Sequence, residues 1–150
     1  MKKLLALFLI AGSLAACSKD KFKTVPQVSI NAITPDVAVT GSIIEMTATV
    51  TDQEGDIQDS VIVVRKRFNG DTQLTVDSTR LSLKGLGVPV KQKMELRVSV
   101  SYGRLLPEYA LFQDLERSFD RNFSIGLVVI DNAGNRSDYA ESKKIVLKKF

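Results

Sequence analysis

The residue types in this chain that could do chemistry fall into a thiol and a set of side-chain oxygens. Cys17 is the only cysteine among 150 residues, and it follows Leu14, Ala15 and Ala16. Small residues at 15 and 16 let an extended backbone enter a peptidase, which leaves the Cys17 sulfur as the single position for a covalent modification. The oxygens come from Asp52, Glu54 and Asp56 in one polar stretch and from Asp131, Asn132, Asn135 and Asp138 in another. A hard cation such as Ca²⁺ takes about six to eight oxygen ligands and tolerates loop geometry, so these residues are candidate ligands if their loops meet. The same residues have a second reading. Asp and Asn cap tight turns through their own backbone, and Gly55 and Gly134 supply positive φ, with no ion required. Neither stretch has the ordered spacing of an EF-hand loop.

Composition removes other chemistry. The chain contains no histidine. Ser-His-Asp and Cys-His nucleophilic schemes, His-based zinc sites and the usual general base near neutral pH are therefore absent. A single cysteine can close no disulfide within the chain and build no multi-thiolate metal site. No nucleophile and base can be paired, and the chain is expected not to be an enzyme. Arg65, Lys66 and Arg67 alternate between faces of a strand, so they form no single anion patch and read as its solvated end. Tyr102, Tyr109, Phe112, Phe119 and Phe123 would stack sugars or dock a partner if exposed. Their partly helical spacing and the absence of Trp favour a buried lid on the core instead.

Lys2 and Lys3 precede an apolar run from Leu4 to Leu14 that is broken only by Gly12 and Ser13. This is a charged start followed by an apolar stretch too short to span a bilayer. With Leu14-Ala15-Ala16-Cys17 it resembles the bacterial lipoprotein signal, or lipobox. The resemblance implies that residues 1–16 are removed and that Cys17 becomes the acylated first residue. Each buried CH₂ then contributes ~0.8 kcal/mol, so several acyl chains hold the protein on the membrane without a transmembrane helix. Residues 17–24 form a polar tether that reaches about 25 Å when extended. Ser18 is not the aspartate that retains enteric lipoproteins at the inner membrane, which implies the outer membrane. Asp20 is the only acidic residue close behind the cysteine, unlike surface-exported lipoproteins of Bacteroidota, so the periplasmic face is expected.

The rest of the chain must position the oxygens. Ile44, Met46, Ala48 and Val50 alternate with Glu45, Thr47, Thr49 and Thr51, and Met94, Leu96, Val98 and Val100 alternate with Glu95, Arg97 and Ser99. Period two of this kind marks strands with one face in a core. Val28 and Ile30, Leu74 and Val76, Phe123 to Val129, and Ile145 with Leu147 mark others, and Val61 to Val64 suits a strand covered on both faces. Asn69-Gly70-Asp71 is a hairpin signal. In the long connection 103–120, Pro107, Leu111, Phe112, Leu115 and Phe119 predict a short helix that caps one end. About seven strands separated by turn residues imply an all-β Greek-key sandwich over residues 25–150. Thr51 to Ile57 before one strand, and Val129 to Ser137 before the last, resemble bacterial immunoglobulin-like domains. The combination with the lipobox resembles small lipoproteins of Bacteroidota. In an immunoglobulin-like topology the second-to-third and sixth-to-seventh connections emerge at one end, which would bring Asp52, Glu54 and Asp56 near Asp131 and Asn132.

The net charge of +4 falls when Lys2 and Lys3 leave, so nucleic acid is not an expected partner. The expected function is a non-catalytic, lipid-anchored envelope module that binds or scaffolds an envelope protein or a glycan. The alternatives are an accessory subunit of an outer-membrane assembly without its own ligand, and a calcium-stabilised module that binds glycans or surfaces.

Overall fold

The computed structural model describes residues 23–112 and 119–149. Leu14, Ala15, Ala16, Cys17 and Leu115 lie outside the described residues. Alternation dictates most of the strands. β1 spans Gln27–Thr34, β2 Val37–Ala38, β3 Ile43–Thr51, β4 Ser60–Asn69 and β5 Thr72–Ser82. β6 spans Lys93–Tyr102, β7 Ala110–Phe112, β8 Arg121–Ile130, β9 Ala140–Glu141 and β10 Ile145–Leu147. Ile44, Met46, Ala48 and Val50 from β3 face Phe123, Ile125, Leu127 and Val129 from β8, all fully buried. In β1 the period is broken by a bulge, because its register with β3 shifts between Ile30 and Ala32. The extra residue turns Ile33, rather than Ala32, into the core beside Val28 and Ile30.

These strands form two sheets, one in the order β1-β3-β6-β7 and the other in the order β2-β10-β8-β4-β5, with β9 also paired to β8. The chain crosses between sheets from β3 to β4, from β5 to β6 and from β7 to β8. That is the Greek-key connectivity of an immunoglobulin-like sandwich. The first strand of the expected seven divides: β1 stays with β3, whereas β2 pairs in parallel with β10 on the opposite sheet. The last strand also divides, into β9 and β10, along one edge of β8. β4 and β5 form the expected hairpin. Asn69 pairs with Thr72 across a Gly70-Asp71 loop, with Gly70 at φ 58°.

Three expectations are corrected. The short helix within 103–120 is not formed where that segment is described. After a turn in which the Tyr109 amide donates to the Leu106 carbonyl, Ala110–Phe112 pairs in parallel with Val100–Tyr102. The free edge of β6 offers a row of backbone donors and acceptors, and pairing with it outweighs the weak drive of a few residues to nucleate a helix. The aromatic lid is also divided. Tyr102 and Phe123 are core residues, Tyr109 is half-buried and Phe119 is 62% exposed. Finally, Arg65 and Lys66 do point to opposite faces but are not solvated. Arg65 pairs with Asp77 at 2.6 Å and donates to Thr79 at 2.7 Å, with its side chain only 10% exposed. Lys66 pairs with Glu141 at 2.6 Å, with its side chain 19% exposed.

Candidate functional site

The acidic loops converge because of strand parity. The inward row of β3 runs through Ile44, Met46, Ala48 and Val50, and the next residue in step is Asp52. The inward row of β8 runs through Phe123, Ile125, Leu127 and Val129, and the next in step is Asp131. Both carboxylates therefore extend core-facing rows past the ends of their strands, at the same pole of the sandwich. Asp52 is 0% and Asp131 1% exposed. Ile57, fully buried, plugs the core beneath the first loop.

Backbone hydrogen bonds tie the pole together. The Asp52 amide donates to Gln92 at 3.0 Å, Lys91 to Gly55 at 3.1 Å, and Asn132 to Asp56 at 3.1 Å. Gly55 is required here. It has φ 71°, and a Cβ on it would lie 2.7 Å from the Lys91 carbonyl carbon. The turn-capping reading accounts for part of the chemistry. Asp52 Oδ2 accepts from the amides of Gly55 at 2.8 Å and Asp56 at 3.3 Å. Asp131 accepts from the Asn135 amide at 2.7 Å through Oδ1 and from Asn135 Nδ2 at 2.8 Å through Oδ2.

Capping does not account for the remaining oxygens. One carboxylate oxygen from each of Asp52, Asp56 and Asp131 lies within 4.8 Å of the others. Oδ1 of Asp52 and Oδ1 of Asp56 are buried and accept no hydrogen bond. Among the described residues, no lysine or arginine pairs with any of the three. Two unit charges at that separation repel by about 3 to 4 kcal/mol at an effective dielectric near 20. Burial raises the Asp56 carboxyl above its ordinary value, a hydrogen bond that its protonated form shares with the Asp52 carboxyl adds to the rise, as do the negative charges of Asp131 and Asp52, and a backbone hydrogen bond opposes it. Glu54, from the same loop, is exposed and outside the cluster. Asn132 is also exposed, and its amide group donates to Gln58 Oε1 at 3.3 Å. Asp138 is exposed and does not join.

Sequence reasoning missed a second polar cluster, on the outer face of the β4–β8 sheet. Lys66 Nζ donates to Glu141 Oε2 at 2.6 Å and sits 4.5 Å from the centroid of the Tyr139 ring, and Ser124 Oγ donates to Glu141 Oε1 at 2.5 Å. Burial pushes the Glu141 carboxyl up, but hydrogen bonds from Lys66, Ser124 and Tyr139 outweigh it and hold the group below its ordinary range. The cluster fastens β9 to the sheet. No local pattern signals it, because Lys66 and Glu141 are 75 residues apart. A lateral cleft of about 470 Å³ opens beside β1, where Asp36 and Lys143 line it and pair at 2.5 Å.

The sequence matches no protein-family profile and no curated protein. The chain is similar to several solved structures, at low identity and with TM-scores below 0.5. A sporulation control protein from Bacillus subtilis is 8% identical with a TM-score of 0.47, over 84% of this chain and 50% of its own, so the chain spans half the length of that protein. A conjugative transposon lipoprotein from Bacteroides eggerthii is 15% identical with a TM-score of 0.35, covering 80% of this chain and 95% of its own. A CARDB domain from Pyrococcus furiosus is 12% identical with a TM-score of 0.34, covering 86% of this chain and 92% of its own. Among the described residues, no helix is long and apolar enough to cross a membrane.

Proposed function

We propose that the chain is a non-catalytic lipoprotein module, acylated at Cys17 and held at the periplasmic face of the outer membrane, whose immunoglobulin-like sandwich binds or scaffolds an envelope protein or glycan. The observation that supports it most directly is where the chain enters the fold. The carbonyl of Lys23 accepts from the amide of Gln53 at 2.9 Å, so residue 23 meets the sandwich at the acidic pole. From Cys17 to that point is a span of ~20 Å when extended. The anchor thus holds the acidic pole, rather than the opposite one, toward the bilayer. The 83–92 loop shares this pole and carries Leu86 and Val90 at 69% and 68% exposure beside Lys84, Lys91 and Lys93. Apolar tips flanked by lysines suit a headgroup layer. The opposite pole, with the 39–42 turn, the Gly70-Asp71 hairpin and the 103–109 connection, faces away and is free to meet a partner.

Metabolic labelling with a fatty-acid analogue tests the anchor. Label is expected in the wild-type chain and absent from Cys17→Ser, and labelled Cys17→Ser would overturn the reading. Protease treatment of intact and lysed cells tests the face, with digestion only after lysis expected. Affinity capture of the lipidated chain then separates a stoichiometric envelope complex from glycan binding by the same preparation.

A further inference from the structure

We propose that Asp52, Asp56 and Asp131 bind one hard divalent cation of the calcium class at the pole where the tether joins the sandwich. Three acidic residues close together would not carry this by themselves. The deciding observation is Asp52, which is 0% exposed yet holds an Oδ1 that accepts no hydrogen bond. Oδ1 of the half-buried Asp56 is likewise buried and accepts no hydrogen bond. A buried carboxylate oxygen without a donor keeps its full desolvation cost, which a cation bound between the carboxylates removes. The amides that could have served as donors are already committed to Asp52 Oδ2 and to Asp131.

Calcium suits the site by ligand type and by openness. Its ligands are oxygens alone, and the coordination sphere is completed by water when the protein supplies only part of it. Asp56 is half-buried, which leaves a solvent-facing side for those waters. Glu54 lies outside the carboxylate cluster, so the site uses fewer acidic residues than the loops contain. The ion would join the loop after β3 in one sheet to the loop after β8 in the other, cross-linking the two layers at one end. This inference holds whether or not Cys17 is acylated.

The test uses the full chain purified in non-ionic detergent at neutral pH. Its melting temperature is measured in chelator and in about 1 mM CaCl₂, the upper end of the range typical of extracellular calcium modules, with titration calorimetry alongside. A rise of several degrees and near-equimolar binding heat are expected. Asp56→Asn is the informative variant, because it spares the capping oxygens of Asp52 and Asp131. In chelator it should melt at or above the wild-type temperature, since a like charge is gone, while the calcium shift disappears. No shift and no heat up to about 10 mM calcium, tenfold above that range, overturns the proposal. A calcium shift that Asp56→Asn retains in full also overturns it, because the ion would then bind elsewhere.

Discussion

The amide of Gln53 donates to the carbonyl of Lys23 at 2.9 Å, and the carbonyl of Gln53 in turn accepts from Gln92 Nε2 at 2.7 Å. One residue of the acidic loop therefore ties the entering chain to the connection between β5 and β6. Its neighbour Asp52 ends the inward row of β3. Any force on the chain that enters at Lys23 is applied next to the buried carboxylates. The loop geometry around them is accordingly the place where small substitutions should have large effects.

Gly55→Ala is expected to destabilise the fold by about 1 to 3 kcal/mol, because the new Cβ meets the Lys91 backbone and the φ of 71° is unfavourable for Ala. Thermal unfolding of the variant measures this. A change within a few tenths of a kcal/mol would mean that the 91–92 backbone yields easily.

Gly126 and Tyr139 are matched in the same way. The Tyr139 ring lies directly where a Gly126 side chain would stand. Gly126→Ala should lose about 1 to 3 kcal/mol by forcing the ring off the sheet, and adding Tyr139→Ala should recover part of that loss. A double-mutant cycle in urea gives the coupling. Additive losses would show that the ring moves aside without resistance.

Lys66→Met leaves Glu141, whose side chain is 29% exposed, without its cation. A loss of about 1 to 3 kcal/mol is expected, and the double variant with Glu141→Gln should be less destabilised than Lys66→Met. Equal stability of Lys66→Met and wild type would reduce the pair to a surface contact.

Asp59 sets an acid limit. Lys84 Nζ lies 2.6 Å from it, Ser60 donates at 2.8 Å and Arg80 at 2.8 Å, and these hold the carboxyl at about 2 against 3.8 for the free group. The folded value is the lower one. The stabilisation from ionised Asp59 is thus fully present above pH 3.8 and is lost as pH falls through about 2. A carboxyl NMR titration should give a midpoint near 2, rising toward 3.8 in Lys84→Met. A wild-type midpoint at 3.8 would remove these contacts as a source of acid sensitivity.

What the amino-acid order determines here is parity and punctuation. Alternation in Ile44–Val50 and Phe123–Val129 specifies which side chains enter the core. Continued by one step, it also specifies that Asp52 and Asp131 point inward. The Asn69-Gly70-Asp71 turn is equally local. These features rest on steric rules that act within a few residues. Tertiary structure decided what depends on vacant edges and on distant partners. β7 forms because β6 has a free edge, not because of the spacing of Leu111 and Phe112. Lys66 is covered because Glu141 and Tyr139 arrive from the far end of the chain. Glu54 and Asn132 have the right atoms for a cation, yet the loops turn them outward. Which of the acidic residues converge is set by how the two sheets face each other, and no local pattern contains that information.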